Sequence, residues 1–539
     1  MKSEFRSLLA ILISIGIFAV WYGWLFPPPK AEPKTEVSQS VESKTDTPVV
    51  ENESSAEIPS VIPEETRSIE TDLYRVVFSN RGGIPTLWEF KKFSRKNEDK
   101  KEEPIDAVNK GAIPLLFQFS EASSPWSNQV AYRVEEKGVG EKKEITFISD
   151  EKGLRVKKKF LFEEGQYATQ MEVSVQNRGG KEFSARPSLL WDQMDVHSKP
   201  GGFFSFLKGP PDQWMPLYLM DGEVEREKWE KENKTATGKI YWVAVANRYF
   251  LSAILPKSGA LERSVSWEAR ESGNGGKISI SLPKIHLAPG ETWKENFTVY
   301  VGPQDIEQLK HVGNRLEDAV DLGFFGIVAR PILYLLKLFY LAVHNYGVAI
   351  ILLTLLIKLL LHPINKKSMT SMKAMQALQP RLKEIREKYK NDKQRLQMEM
   401  MNLFKTNKVN PMGGCLPMLL QFPIYIALYK VLWSSVELYQ APFFWFYKDL
   451  SAPDPYLISP VLLGIAMFLQ QKMMPSATMD PAQQKMMMFM PLMFSAFMLF
   501  LPSGLTIYIL VNTVISIVQQ WMIQKDLRLR DILRGRFYG

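Results

Sequence analysis

Cysteine is nearly missing, with Cys415 alone among 539 residues. That excludes a disulfide framework and any cysteine-based zinc cluster. Histidine is scarce too, at five residues. Three of them, His197, His286 and His311, lie far apart in the polar half of the chain. No metal-ligand spacing results, and neither a nucleophile elbow nor a glycine-rich phosphate loop is present. No metal and no cofactor are expected. Charge is missing from the whole run Leu8–Phe26, which follows Lys2 and Arg6. At ~1.5 Å per residue this run covers about 28 Å, roughly a bilayer core. It ends in Trp21, Tyr22, Trp24, Leu25 and Phe26, then Pro27-Pro28-Pro29. Bulky aromatics suit a membrane interface and not a cleavage site. Residues 1–26 therefore read as an uncleaved signal-anchor with a cytoplasmic N-terminus. Residues 27–67 carry seven Pro and almost no aromatics, a composition that cannot bury a core, so they read as a flexible linker.

What is present begins with period-two alternation over residues 68–312. Leu154, Val156, Lys158, Phe160 and Phe162 alternate with charged residues, and Met171/Val173/Val175 and Ile278/Ile280/Leu282 repeat the pattern. Turn signals at Asn80-Arg81-Gly82-Gly83, Asn177-Arg178-Gly179-Gly180 and Pro289-Gly290 separate the runs. Many short alternating strands predict an antiparallel β-sandwich. Asp192 and Asp195, near Trp191 and His197, form the one cluster with a catalytic or glycan-binding look, and solvated carboxylates at a strand end explain it as simply.

After residue 320 the chain turns apolar. Segments 346–361, 415–436, 457–474, 486–501 and 505–523 are candidate spans, the shortest needing help from their flanks. Segment 322–343 carries Arg330, Tyr334 and Lys337 on one stripe and reads as a helix lying in the interface. Charge decides this. Loop 364–414 has 12 Lys and Arg against 4 Asp and Glu, whereas 437–456 holds Lys448 against Glu437, Asp449 and Asp454. Six spans, counting the anchor, place the basic loop and the basic tail 525–539 in the cytoplasm, as the positive-inside rule requires. Counting 322–343 as a span would put that loop outside. Residues 27–321 are then mostly periplasmic. The basic loop itself reads as a helical hairpin over 364–410. Pro380 opens one helix, Asn391-Asp392 cap a second, and Leu396, Met400, Leu403 and Phe404 form an apolar stripe. Arg381, Lys383, Arg386, Lys388, Lys393 and Arg395 offer a basic contact surface.

Ionisable residues inside a span are costly and mark function by default. Lys358 is the clearest, with Thr354 one turn away. It lies five residues before Pro363, close enough to snorkel instead. Tyr508, Asn512, Ser516 and Gln519 make a polar stripe on the last span, and Gln421 and Tyr425 pair one turn apart on the 415–436 span. Stripes on three helices cannot all face lipid. They converge on a wet cavity, or they bond helix to helix without one. Nineteen of the 24 Met lie after residue 363, which suits a surface accepting many apolar partners as well as ordinary packing.

At these residues a resemblance emerges. Asn410-Pro411-Met412-Gly413-Gly414-Cys415-Leu416-Pro417 is similar to the signature of the YidC/Oxa/Alb membrane-protein insertases. Gln421-Phe422-Pro423-Ile424, Asp449-Leu450-Ser451-Ala452-Pro453-Asp454-Pro455-Tyr456, Phe489-Met490-Pro491 and Pro502-Ser503-Gly504-Leu505 follow in the family's order. The resemblance implies a multi-domain integral membrane protein. Six transmembrane helices would contain a five-helix insertase core over 313–539, joined to a periplasmic β-supersandwich. It implies a hydrophilic groove whose basic residue falls on Lys358, where Gram-negative members usually have Arg, with Thr354 and Tyr508 at groove positions. Nascent membrane proteins would be the partners in the bilayer, together with the Sec translocon. The ribosome would contact the basic loop and tail. The main alternative is a secondary transporter using Lys358, which predicts related halves that the spans do not show. The net charge of +9 divides into +1 for residues 1–6, −6 for 27–321 and +14 for 322–539. It is a topology signal, so no specific nucleic-acid partner is expected. The soluble-looking mean hydropathy of −0.14 averages a polar half with a membrane half.

Overall fold

The computed structural model describes residues 63–96, 102–109, 111–120, 130–139, 142–195, 213–407, 409, 416–444, 447–473 and 481–525. The expected anchor, most of the linker, the 410–415 part of the signature, His197 and the basic tail lie outside the described residues.

The first half is antiparallel β structure. A four-stranded sheet runs in order through Thr66–Glu70, Tyr74–Ser79, Ile84–Lys96 and Glu102–Asp106. A fourteen-stranded sheet has a central path from Lys234–Ala246 through Phe250–Pro256, Thr292–Pro303, Ala168–Asn177 and Leu154–Glu163 to Lys142–Glu151. The sandwich follows from the alternation. Along Leu154–Glu163 every second side chain is buried, which brings Phe160 to 5.0 Å from Phe78 and within 6.1 Å of Phe147. Gly83 holds φ +54° at the turn, and a Cβ there would lie 3.1 Å from Phe147. Both facts call for glycine.

Lys158 shares that inward register and is fully buried. Its ammonium donates to the carbonyls of Gly82 at 3.1 Å, Gly83 at 2.6 Å and Leu115 at 2.9 Å. Burial pushes it down to about 7, and three carbonyl acceptors favour the charged form in opposition. Asp192 and Asp195 are also structural. Asp192 receives both hydrogen bonds from Arg270 Nη1 at 3.0 Å and one from the Ile113 amide, and Asp195 accepts from the Trp214 amide. The catalytic reading of this pair finds no open carboxylate.

The second half is helical. Helix α1 spans Ile306–Val312, α2 Gly326–Val343, α3 Tyr346–Ala377, α4 Gln379–Lys388, α5 Lys393–Thr406, α6 Leu416–Ser434, α7 Ile458–Lys472, α8 Pro481–Met498 and α9 Ser503–Gln524. Among the described residues α2, α3 and α9 are long and apolar enough to cross a membrane. Length alone therefore does not set α2 apart from a span. Its stripe is also less uniform than the spacing suggests. Arg330 and Tyr334 are exposed, but Lys337 turns inward to Asp305 at 3.2 Å and Glu437 at 2.7 Å. Helix α3 runs through Pro363 for a further fourteen residues, so the expected break between span and hairpin at 361–364 is absent. Proline there removes one hydrogen bond to Leu359, which is exposed, so the helix continues. In the hairpin the Asp392 side chain caps α5 by accepting from the Arg395 amide at 3.0 Å, and Leu378, Leu382 and Phe404 form a small core with Met375, Met400 and Leu403.

The segment after α6 ties the halves together. Val436 enters the β core. The Tyr439 hydroxyl donates to the Ser94 carbonyl at 2.7 Å, and Gln440 exchanges hydrogen bonds with Ser94. The Arg248 guanidinium stacks 3.7 Å from the Trp433 ring and donates to its carbonyl, while Lys430 pairs with Asp321 at 3.0 Å.

Replacing Lys158 with Met leaves three buried carbonyls without a donor. The expected loss is about 3 kcal/mol or more in the β domain, read as an earlier loss of β-sheet circular dichroism on heating the full chain. An unchanged transition would show that those carbonyls have other donors.

Candidate functional site: a polar cluster among apolar helices

Helix α9 owes its position to its first turn. The Gly504 amide donates to the Leu450 carbonyl at 3.0 Å and the Ser503 amide to the Ala452 carbonyl at 2.8 Å. A Cβ on Gly504 would come 3.2 Å from Leu450 O, a tight approach that glycine avoids. That loop is pinned by its own acids. Asp454 accepts from Tyr447, the Tyr456 amide and both donors of Ser459, and Asp449 accepts from Ser451 and the Gln440 amide. The Asp449–Tyr456 and Pro502–Leu505 motifs thus build one lock at one end of the bundle.

From that lock α9 sends polar residues inward at helical spacing. Asn512 accepts from Gln421 Nε2 at 2.9 Å and donates to the Tyr425 hydroxyl at 2.5 Å, joining α9 to α6. One turn on, Ser516 accepts from Lys358 Nζ at 2.7 Å and donates to the Asn512 backbone carbonyl at 2.8 Å, joining α9 to α3. One turn further, Gln520 donates to the Met473 carbonyl at 2.8 Å, just past α7. Tyr508 is fully buried, with its ring 5.8 Å from Tyr425 and edge-on to it. Its hydroxyl faces the Gln421 amide without completing a well-formed hydrogen bond.

Lys358 is 4% exposed. Among the described residues no carboxylate forms an ion pair with it, and Ser516 is its side-chain partner. A buried cation with one neutral partner is an energetic liability that a passing anion would relieve.

The expected residues divide as follows. Lys358, Gln421, Tyr425, Asn512 and Ser516 form one hydrogen-bonded chain, with Tyr508 packed against it. Thr354 is buried one turn from Lys358, but its hydroxyl returns to the Ile350 carbonyl at 2.7 Å. Gln519 stands outside the chain, with a buried side-chain oxygen that has no partner among the described residues. The stripe continues through Gln520, four residues after Ser516, which the spacing argument passed over. Buried Asn365, Ser368, Thr506 and Thr513 were missed as well. On the hairpin, Arg381, Lys383, Lys388 and Arg395 are exposed and Arg386 is half-buried. Lys388 and Arg395 both lie over the Tyr389 ring, at 5.5 and 5.4 Å. The Lys393 side chain lies outside the described residues.

Comparison with known proteins gives this geometry a family. The 60Kd inner membrane protein model matches residues 338–530, and the YidC periplasmic domain model matches 66–335. Membrane protein insertase YidC of Geotalea uraniireducens is 36% identical over 97% of this chain and 99% of its own length. The chain belongs to the YidC family of membrane protein insertases. The counterpart in Geobacter metallireducens is 37% identical over the same shares. A crystal structure of an active YidC insertase aligns over 86% of this chain and 93% of its own, at 18% identity and a TM-score of 0.39. Members of this family are inner-membrane insertases and not enzymes.

Because Lys358 is buried without an anion, Lys358→Met should raise the melting temperature of the chain in detergent, by the equivalent of about 1–3 kcal/mol. A lowered melting temperature would show that Lys358 stabilises the bundle.

Proposed function

We propose that the cluster of Lys358, Gln421, Tyr425, Tyr508, Asn512 and Ser516, with Thr354 beside it, is the wall of a hydrophilic groove. The groove receives the polar segment of an incoming membrane protein. The observation that carries this reading is the buried ammonium of Lys358 without a carboxylate partner among the described residues. An acidic side chain in the substrate's polar tail is its natural counter-ion. A charge at the bilayer centre costs ~2.5–3.5 kcal/mol on insertion scales, so one ion pair and a few hydrogen bonds offset much of the barrier. No bond is made or broken. The protein acts by lowering the cost of desolvating a short stretch of chain, either alone or beside the Sec translocon.

Lys in this position attracts by point charge and lacks the rigid fork of Arg. The groove therefore selects for charge and tolerates variation in where the acid sits. The orientation belongs to the same reading: both termini and the hairpin are cytoplasmic, and residues 27–321 are mostly periplasmic. The basic hairpin surface of Arg381, Lys383, Arg386, Lys388, Lys393 and Arg395, with the tail, then meets the ribosome as the nascent chain emerges.

The test is insertion of a short-tailed substrate bearing one acidic residue into vesicles holding the full chain. Lys358→Ala should lower the rate about tenfold, from ~1.5 kcal/mol for one lost charge-assisted hydrogen bond, and Lys358→Arg should retain most of it. A substrate with its acid replaced by Asn should be indifferent to Lys358→Ala. Equal rates for all three proteins on the acidic substrate would overturn the charge reading.

A further inference from the structure

Helices α3 and α9 pack side by side, and Ile350, Leu353, Ile357, Leu505 and Ile509 belong to one apolar cluster. Beyond that cluster Lys358 meets Ser516, and both side chains are buried. The other polar groups near them are committed elsewhere. Thr354 donates to the Ile350 carbonyl and Thr513 to the Ile509 carbonyl. The Asn512 carboxamide is held by Gln421 and Tyr425. Ser516 is committed as well, but only by its proton, which goes back one turn to the Asn512 backbone carbonyl. With that proton fixed, the hydroxyl oxygen acts toward Lys358 as an acceptor alone. An ammonium carries three N–H donors. Ser516 takes one, and among the described residues the other two have no protein acceptor.

We propose that Ser516 is a positioning residue that sets the groove's preference for acidic tails, by anchoring the Lys358 ammonium without cancelling its charge. This rests on the groove reading and adds a specificity-determining residue to it. One N–H is held by Ser516, and the two others are left for a carboxylate of the substrate. Neutrality at position 516 is the essential property. A carboxylate there would stand where the hydroxyl stands and form the ion pair inside the protein. Lys358 would then have its counter-ion before any substrate arrived, as Lys337 has in Asp305 and Glu437. Alanine fails in a different way. It keeps the charge but frees a flexible four-carbon stem, so part of the orientation is lost. Threonine keeps the hydroxyl, and Thr354 and Thr513 already make the same backbone bond in these two helices.

The experiment reads a ratio: insertion of a tail bearing one Asp over the same tail bearing Asn, with the full chain in vesicles. Lys358→Ala sets the floor of this ratio. Ser516→Asp should bring it to that floor, about tenfold below the unaltered chain, as for one lost charge-assisted hydrogen bond. Ser516→Ala should lower it about threefold, the low end for one hydrogen bond, and Ser516→Thr should keep it. A serine with a purely structural role would change insertion of both tails alike and leave the ratio where it was. Equal ratios for Ser516→Ala and Ser516→Thr would overturn the role, as would a Ser516→Asp ratio still at the level of the unaltered chain. Should Ser516→Asp insert neither tail, the comparison of Ala with Thr decides alone. Lys358→Ala, run in parallel, separates the two claims. If it leaves the ratio unchanged, the groove reading itself fails. If it lowers the ratio while the Ser516 variants do not, only the role of Ser516 falls.

Discussion

A bilayer core supplies no water, so each polar group placed there must find its partner within the protein. Helix α9 answers that constraint for the whole bundle. Asn512, Ser516 and Gln520 lie on one face at helical spacing, and each reaches a different element: α6, α3 and the end of α7. Hydrophobic packing gives little direction to helices in lipid, because lipid tails are as apolar as leucine. The hydrogen bonds of this stripe therefore fix which faces of α3, α6 and α9 turn inward. The apolar cluster around Leu353, Leu428 and Tyr508 fills the space that remains.

The stripe also explains why Lys358 can stay buried. Ser516 holds the ammonium at 2.7 Å but is neutral. Among the described residues, three other charged groups are better satisfied. Asp192 has Arg270 and the Ile113 amide, Lys337 has two acids, and Lys158 has three carbonyls. Against that standard Lys358 is under-satisfied. Proteins keep such a group where function requires it and accept the stability cost.

Much of this was legible because helices and strands have fixed periods. Period two put Lys158 on the inward face of its strand along with Phe160, and i, i+4 spacing joined Tyr508, Asn512 and Ser516. The same arithmetic failed at the next step. A period of 3.6 places the following residue between 519 and 520, and packing chose Gln520 because the Met473 carbonyl lies there. The span 346–361 and the hairpin from 364 were read as separate, but the turn before Pro363 is exposed enough to lose one hydrogen bond and the helix runs through. Lys337 looked like part of an interfacial stripe, yet Asp305 and Glu437 come from distant sequence and no periodicity can announce them. Tertiary ion pairs and carbonyl acceptors were the invisible part throughout.

The coupling between the two halves follows from where the chain re-enters the β domain. Val436 joins the β core and Tyr439 bonds Ser94, so the C-terminal end of α6 is effectively part of the β domain. Burial pushes the Glu437 carboxyl up, and Lys337 of α2 opposes it, which binds α2 to the same point. Charge pairs and hydrogen bonds, and not apolar packing alone, thus fix where α2 and the C-terminal end of α6 meet the β domain.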